Sequence, residues 1–163
     1  MEQAVPAFGP RKCLNAQVLS LAMDATTRLL VLANRTADSV ELLRQLVARH
    51  GRGPIGVTML VPAIWEVQDP HGGHESARRR LRTAQRHLQA EGIPVACRIG
   101  DPDPMTAFER EWAHHTYDEI IVSTLPSHLS RWLHIDLPQR IRVAAAGVPV
   151  THVIATEESV ATG

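Results

Sequence analysis

The chain has 163 residues, of which 44% are hydrophobic and 21% are charged, and this balance is typical of one globular domain with a buried core. Lysine plus arginine and aspartate plus glutamate both total 17, so the formal net charge is zero and a general attraction to nucleic acid or to an anionic membrane is not expected. The two cysteines are too few for a disulfide framework, and we predict that Cys97 is a small core residue of a buried strand.

Residues 1–26 are predicted to form an N-terminal extension. Its apolar residues recur at helical spacing and predict a short helix: Leu14, Val18, Leu21 and Ala22. Met23 stands just before the first predicted strand and is an alternative first residue of the protein. The apolar stretch in this extension is too short and too polar for a membrane span or a secretory signal, so we expect a cytoplasmic protein.

Strands and helices are predicted to alternate through residues 27–156, which would form the domain, followed by a tail at 157–163. Apolar runs predict strands at 29–33, 57–61, 94–99, 119–123 and 148–154. Helical periodicity predicts helices between them, the first ending near 51 and the others at about 75–91, 105–115 and 137–146. Strands joined in this way specify an α/β fold, a single-domain open parallel five-stranded sheet with helices on both faces.

Two of the predicted helices have recognisable features. Asp38 and Glu41 have the spacing of a capping box at the start of the first helix. The core face of the second helix is predicted to contain Ala77, Leu81, Ala84 and Leu88.

The segment Gly51–Gly56 matches the G-x-G-x-x-G pattern of dinucleotide-binding loops. That loop binds a pyrophosphate because it follows a strand and begins a helix, whose N-terminus attracts anions. Here a helix is predicted before the glycines and a strand after them, and Pro54 removes one amide from the loop. The pattern therefore predicts a helix stop followed by a turn.

Five short stretches carry a resemblance to a known family. They are LLVLANRTADS, Gly100-Asp101-Pro102, DEIIVS, Ser130–Leu133 and GVPVTHVI. On these stretches, from about residue 28 to residue 154, the chain resembles the universal stress protein family. The resemblance implies a Rossmann-like sheet in the order 3-2-1-4-5, a role in the stress response and a homodimer paired through the fifth strands. The β-branched fifth strand would otherwise be an exposed edge.

The resemblance also locates a nucleotide cleft. ATP-binding members of the family carry an Asp after strand one, two glycines after strand four and a Gly-Ser pair at the next helix start, where backbone amides approach the phosphates. In this sequence the first of these positions is Asn34. The others are Ser123, about Pro126, and about Ile135-Asp136. We therefore expect a degenerate cleft that does not bind ATP in the usual way of the family.

The candidate cleft residues are Asn34, Val61, Ser123, Thr124, Ser127, Ser130 and Arg131. Their hydroxyl and guanidinium groups can surround a smaller anion at a helix start. The alternative is that Ser127 and Ser130 are local caps and that Arg131 is a solvated surface residue. The sequence therefore predicts no cofactor, while ATP, AMP or a small anion stay open as ligands.

Two functions remain open from the sequence. The first is a non-enzymatic, homodimeric stress-response or regulatory module that binds a small molecule or a protein partner. The second is an ATP- or AMP-binding protein, or a slow nucleotide hydrolase, with a rearranged phosphate loop.

No catalytic residue and no metal site are predicted. Ser123, His128 and Asp136 lack a nucleophile elbow and an oxyanion-hole glycine. His114 and His115 are adjacent, so their side chains point in different directions.

The second predicted helix is strongly basic. Its arginines are Arg78, Arg79, Arg80, Arg82 and Arg86. Such a helix is either a solvated face or a docking surface for an acidic partner or RNA. Because only 4% of the residues are aromatic, little is available for stacking on bases, so a nucleic-acid partner is not expected.

Overall fold

The computed structural model describes residues 26–64 and 73–156 of the chain. Its strands are β1 (Thr27–Leu32), β2 (Ile55–Pro62), β3 (Val95–Gly100), β4 (Glu119–Thr124) and β5 (Val150–Ile154). Its helices are α1 (Val40–His50), α2 (His74–Ala90), α3 (Pro104–His114), α4 (Arg131–His134) and α5 (Leu137–Ala144).

The five strands form one sheet in the order β3-β2-β1-β4-β5, and every neighbouring pair is parallel. The predicted fold class and strand order are therefore confirmed. The order reverses between β1 and β4, where the chain crosses from one half of the sheet to the other. In open sheets of this kind, ligands bind in the crevice beyond the carboxyl ends of the strands at such a point.

Hydrophobic cores cover both faces of the sheet. Leu29 and Val31 of β1 belong to the core beneath α1 and α2, whereas Leu30 and Leu32 belong to the core beneath α3 and α5. This two-sided burial explains why β1 is a continuous apolar run. The predicted core face of α2 is confirmed, since its four residues are all buried: Ala77, Leu81, Ala84 and Leu88.

The predicted capping box of α1 is wrong by one position. The N-cap is Ser39, whose Oγ accepts a hydrogen bond from the Leu42 amide at 3.3 Å. Glu41, the other predicted member of the box, instead accepts hydrogen bonds from the amide and the hydroxyl of Thr156, at 3.3 and 2.8 Å. Asp38 and Ser39 are both good caps by residue type, and the buried hydroxyl of Ser39 occupies the position that reaches the free amides.

The prediction that Cys97 is a core residue is also wrong, because its side chain is exposed. β3 lies at the edge of the sheet, and in the described ranges β2 is its only strand neighbour. The apolar pattern indicates a strand but does not indicate whether that strand is central or at an edge.

Several helix and strand boundaries in the structure differ from the predicted ones by a few residues. The helix predicted at about 137–146 ends at Ala144 and is preceded by the separate turn of helix α4. β5 begins at Val150, two residues later than expected. Gly51 follows α1 and β2 begins at Ile55, so the helix stop predicted for the glycine-rich segment is confirmed. The N-terminal helix, the alternative start at Met23 and the C-terminal tail fall outside the described residues.

Candidate functional site

The crevice lies at the carboxyl ends of β1 and β4. Their register pairs Leu32 with Val122, so Asn34 follows β1 beside the last residues of β4. The hydroxyl of Thr36 donates a hydrogen bond to the carbonyl of Ser123 at 3.0 Å and is buried. This bond ties the loop after β1 to the end of β4, which fixes the floor of the crevice.

Asn34 is in contact with a cation from another element. Nη1 of Arg80, on α2, donates a hydrogen bond to Oδ1 of Asn34 at 3.0 Å. Both side chains are partly buried. The guanidinium therefore lies at the end of β1, on the crevice side of α2.

Ser123 and Thr124 are the last two residues of β4, and both are buried, at 1% and 2% exposure. Oγ of Ser123 has no hydrogen-bond partner in the described structure. Oγ1 of Thr124 lies 2.7 Å from Nε2 of His152 on β5. Burial lowers the pKa of His152, which favours its neutral form and a hydrogen bond with the threonine hydroxyl.

Backbone amides of the loop after β4 are hydrogen-bonded within the loop. The amides of Leu129 and Ser130 both donate to the carbonyl of Pro126, at 2.9 and 3.0 Å. Pro126 itself has no N–H group. Oγ of Ser130 caps α4 by accepting from the Leu133 amide at 3.4 Å. Two amides of this loop and the hydroxyl of Ser130 are therefore engaged within the loop and its helix.

Asp136 stands at the N-cap of α5 in the left-handed conformation, with φ 52°. Glycine adopts this conformation without strain, and aspartate is one of the few other residues that tolerate it. Its side chain makes no capping hydrogen bond. The helix start therefore keeps a backbone shape that suits glycine while carrying a carboxylate, which would repel an approaching phosphate.

The predicted site residues do not all converge. Asn34, Ser123 and Thr124 lie at the crevice, but Val61 is completely buried in the core beneath α1 and α2. Ser127 and Arg131 are exposed. With Ser130 engaged as a cap, the hydroxyls and the guanidinium of this loop do not form an enclosed anion site.

Arg80 is the crevice residue that the sequence analysis does not single out. A signal exists: Ala77 and Ala84 stand three residues before it and four after it, so Arg80 flanks the buried face of α2. The other arginines of this helix are exposed: Arg78, Arg79, Arg82 and Arg86.

A second polar cluster lies at the amino-terminal end of the sheet, far from the crevice. Glu111, 8% exposed, accepts a hydrogen bond from the Tyr117 hydroxyl at 2.5 Å and lies 3.2 Å from Nε of Arg98. Nδ1 of His115 is 3.1 Å from the same oxygen but outside hydrogen-bonding geometry. Burial and the bond to Glu111 raise the pKa of Tyr117 to about 12.

Within residues 26–64 and 73–156, no three His, Cys, Asp or Glu side chains are grouped so that they could hold a metal ion. No helix in these ranges has the length and apolar character needed to cross a bilayer.

The strand order, which reverses between β1 and β4, defines an open, doubly wound α/β domain. No protein-family model matches the chain, and no curated protein matches it. Solved structures do match. A universal stress protein in complex with cAMP is 14% identical, with a TM-score of 0.53, over 79% of this chain and 97% of that chain.

Two further solved structures are similar. A universal stress protein from Archaeoglobus fulgidus is 15% identical, with a TM-score of 0.55, over 83% of this chain and 98% of that chain. A universal stress protein family protein from Arabidopsis thaliana with AMP bound is 13% identical, with a TM-score of 0.55, over 81% of this chain and 94% of that chain. The chain therefore has the fold of the universal stress proteins, as its resemblance predicts.

Proposed function

We propose that this chain is a non-enzymatic, universal-stress-protein-like regulatory module that binds a small ligand other than ATP in its crevice. The observation that carries this proposal is the loop after β4. Pro126 offers no amide, the amides of Leu129 and Ser130 are bonded within the loop, and Asp136 carries a carboxylate at the start of α5. A triphosphate needs the opposite arrangement, with free amides and no negative charge at the helix start.

Calorimetric titration with ATP tests this proposal directly. We expect no ATP binding at micromolar concentration and no release of phosphate from ATP. The double variant Pro126→Gly/Asp136→Gly restores one amide and removes the carboxylate, so it should gain ATP affinity. Asp118→Gly, at an exposed carboxylate before β4, is the charge-matched control and should gain none. Micromolar ATP binding by the unmodified protein would contradict the proposal.

We also propose a cytoplasmic homodimer paired through the outer edges of β5. Among the described residues β5 pairs with β4 alone, and Ile154 on β5 is 52% exposed. An edge strand with free backbone groups is a liability unless it is paired or covered, and a second copy of β5 would satisfy those groups.

Light scattering coupled to size exclusion tests the dimer. The unmodified protein should have the mass of a dimer, and Ile154→Asp should have the mass of a monomer. Val143→Asp, at a residue of α5 that is 70% exposed, adds the same charge away from the edge and should stay dimeric. A monomeric unmodified protein would refute this arrangement.

The second candidate is an AMP-binding protein or a slow nucleotide hydrolase. It is favoured by the shared fold, since one similar structure contains AMP and another contains cAMP. Release of a nucleotide on denaturing the freshly purified protein, together with slow phosphate release from ATP, would favour this candidate over the first.

A further inference from the structure

The outer edge of β3 is a second strand edge, on the opposite side of the sheet from β5. Within residues 26–64 and 73–156, β3 pairs with β2 alone. Three consecutive residues in the middle of the strand are exposed: Ala96, Cys97 and Arg98. Two of these side chains are small, so they shield little of the backbone. Such an edge offers unpaired N–H and C=O groups to another extended chain.

The pairing with β2 shows which backbone groups of β3 face outwards. The amide of Val57 donates to the carbonyl of Pro94 at 2.9 Å, and the amide of Ala63 donates to the carbonyl of Gly100 at 3.1 Å. Because successive residues of a strand direct their backbone groups to opposite sides, the even-numbered residues from 94 to 100 face β2. The N–H and C=O groups that point away from the sheet therefore belong to Val95, Cys97 and Ile99.

The helix that packs on β3 is strongly basic. The thiol of Cys97 donates a hydrogen bond to the carbonyl of Leu81 at 3.9 Å, which places α2 directly over the edge strand. Five of the residues of α2 are arginines, and Glu75 is its only acidic residue. The edge of β3 therefore lies beside a concentrated positive charge.

Two of these arginines stand on the flank of α2 that borders the edge. Arg80 contacts Asn34 at the end of β1, which identifies the inner flank of the helix. Arg78 lies about 160° from Arg80 around the helix axis, and Arg82 follows Arg78 by about one turn. Both are exposed. Arg78 and Arg82 are therefore directed to the outer flank, above the free edge of β3.

This charge makes a second copy of β3 a poor partner for the edge. Pairing of two β3 strands would bring Arg78 and Arg82 of one copy towards the same residues of the other, and opposed like charges destabilise a strand pair. On the other face of the sheet, Nε of Arg98 lies 3.2 Å from the carboxylate of Glu111 and is already engaged. Recognition by charge is therefore concentrated on the α2 face, and it favours an acidic partner.

We propose that the outer edge of β3 binds an extended acidic segment of a partner protein, which adds to the sheet as a sixth strand. Its backbone pairs with the outward groups of Val95, Cys97 and Ile99. Every second side chain of the segment lies on the α2 face, at a spacing of about 7 Å. Arg78 and Arg82 are separated by about 6 Å along the helix axis, so carboxylates at alternate positions match them.

The test is fluorescence anisotropy at low salt with a labelled nine-residue peptide of alternating threonine and glutamate. We expect it to bind the unmodified protein. Arg78→Gln/Arg82→Gln should weaken binding at least about tenfold, because two charge-assisted hydrogen bonds are lost. Arg79→Gln/Arg86→Gln removes the same charge from exposed positions on the solvent face of α2 and should weaken binding much less.

A second pair of variants tests the backbone of the edge. Cys97→Pro removes one outward N–H group and leaves the hydrogen bonds to β2 in place, since proline is tolerated where the N–H faces away from the sheet. It should lose peptide binding, whereas Cys97→Ala should bind like the unmodified protein. Circular dichroism establishes that each variant is folded, and the arginine variants decide the question if Cys97→Pro does not fold.

Peptide binding that depends on Arg78 and Arg82 and on the N–H group of Cys97 supports the proposal. It is overturned if the peptide does not bind, if the two arginine double variants lose equal affinity, or if folded Cys97→Pro binds as tightly as Cys97→Ala. Arginine-dependent binding of a labelled single-stranded RNA in place of the peptide would also overturn it. The edge of β3 is separate from the crevice and from β5, so none of these outcomes depends on the crevice ligand or on the dimer.

Discussion

Replacing Tyr117 with phenylalanine should remove a pH dependence of stability in the alkaline range. In the folded protein, burial and the hydrogen bond to Glu111 raise the pKa of Tyr117 from 10.0 to about 12. The folded state therefore keeps the phenolic proton to higher pH than the unfolded state. The resulting stabilisation is fully present below pH 10 and is lost as the pH rises through about 12.

The size of this effect follows from the shift. A difference of about two pKa units corresponds to about 3 kcal/mol of unfolding free energy, lost progressively over that pH range. Tyr117→Phe should also lose about 1 kcal/mol near neutral pH, because Glu111 loses one hydrogen-bond donor.

Urea unfolding followed by circular dichroism between pH 8 and pH 12 measures the effect. Tyr117 is the only tyrosine of the chain, so its ionisation can be followed directly by ultraviolet absorbance. Tyr117→Phe retains Cys97, whose pKa is raised by the partial desolvation of its thiol beside α2, and therefore serves as the control for thiol ionisation. The reasoning fails if both proteins lose the same free energy between pH 10 and pH 12, or if Tyr117 titrates near 10.

Two further changes test other parts of the fold. Gly100→Ala should destabilise the protein by about 1–3 kcal/mol in urea unfolding, because the new Cβ would lie 2.7 Å from the Cβ of Ala107. The control is Gly53→Ala, which should change the free energy of unfolding little because a Cβ at Gly53 would meet open space. Acidification below pH 6.5 should reduce the free energy of unfolding. Burial lowers the pKa of His152 in the folded protein below its unfolded-state value of 6.5, so the stabilisation that the neutral imidazole provides is present above pH 6.5 and is lost as the pH falls through the pKa of the folded state. His152→Gln keeps a donor for Thr124 and should reduce this acid dependence; an unchanged acid dependence would show that His152 is not its source.

The alternation of strands and helices is predictable because each element repeats a simple pattern. β1 is apolar throughout since both of its faces are covered, and α2 shows its buried face at Ala77, Leu81, Ala84 and Leu88. Cys97 shows the limit of this reasoning. Whether a strand is central or at the edge depends on contacts distant in sequence, which local hydrophobicity does not encode.

The candidate site is predictable only in part for a related reason. The resemblance locates Asn34 and Ser123, and they lie close together because the carboxyl ends of parallel strands meet at one edge of the sheet. Arg80 is 46 residues from Asn34 in sequence, and its contact depends on how α2 packs across the sheet. A run of arginines in the sequence indicates a charged helix, but only the packing of α2 on the sheet shows that Arg80 is the arginine that is partly buried.

The residues around the crevice bear on the proposed preference for a ligand other than ATP. In the loop after β4, Pro126 and Asp136 remove a donor and add a negative charge, which weakens phosphate binding on that side. On the α2 side, Nη1 of Arg80 donates a hydrogen bond to Oδ1 of Asn34, which joins α2 to the end of β1. A triphosphate lying along the loop after β4 would meet the carboxylate of Asp136 and would receive no amide from Pro126.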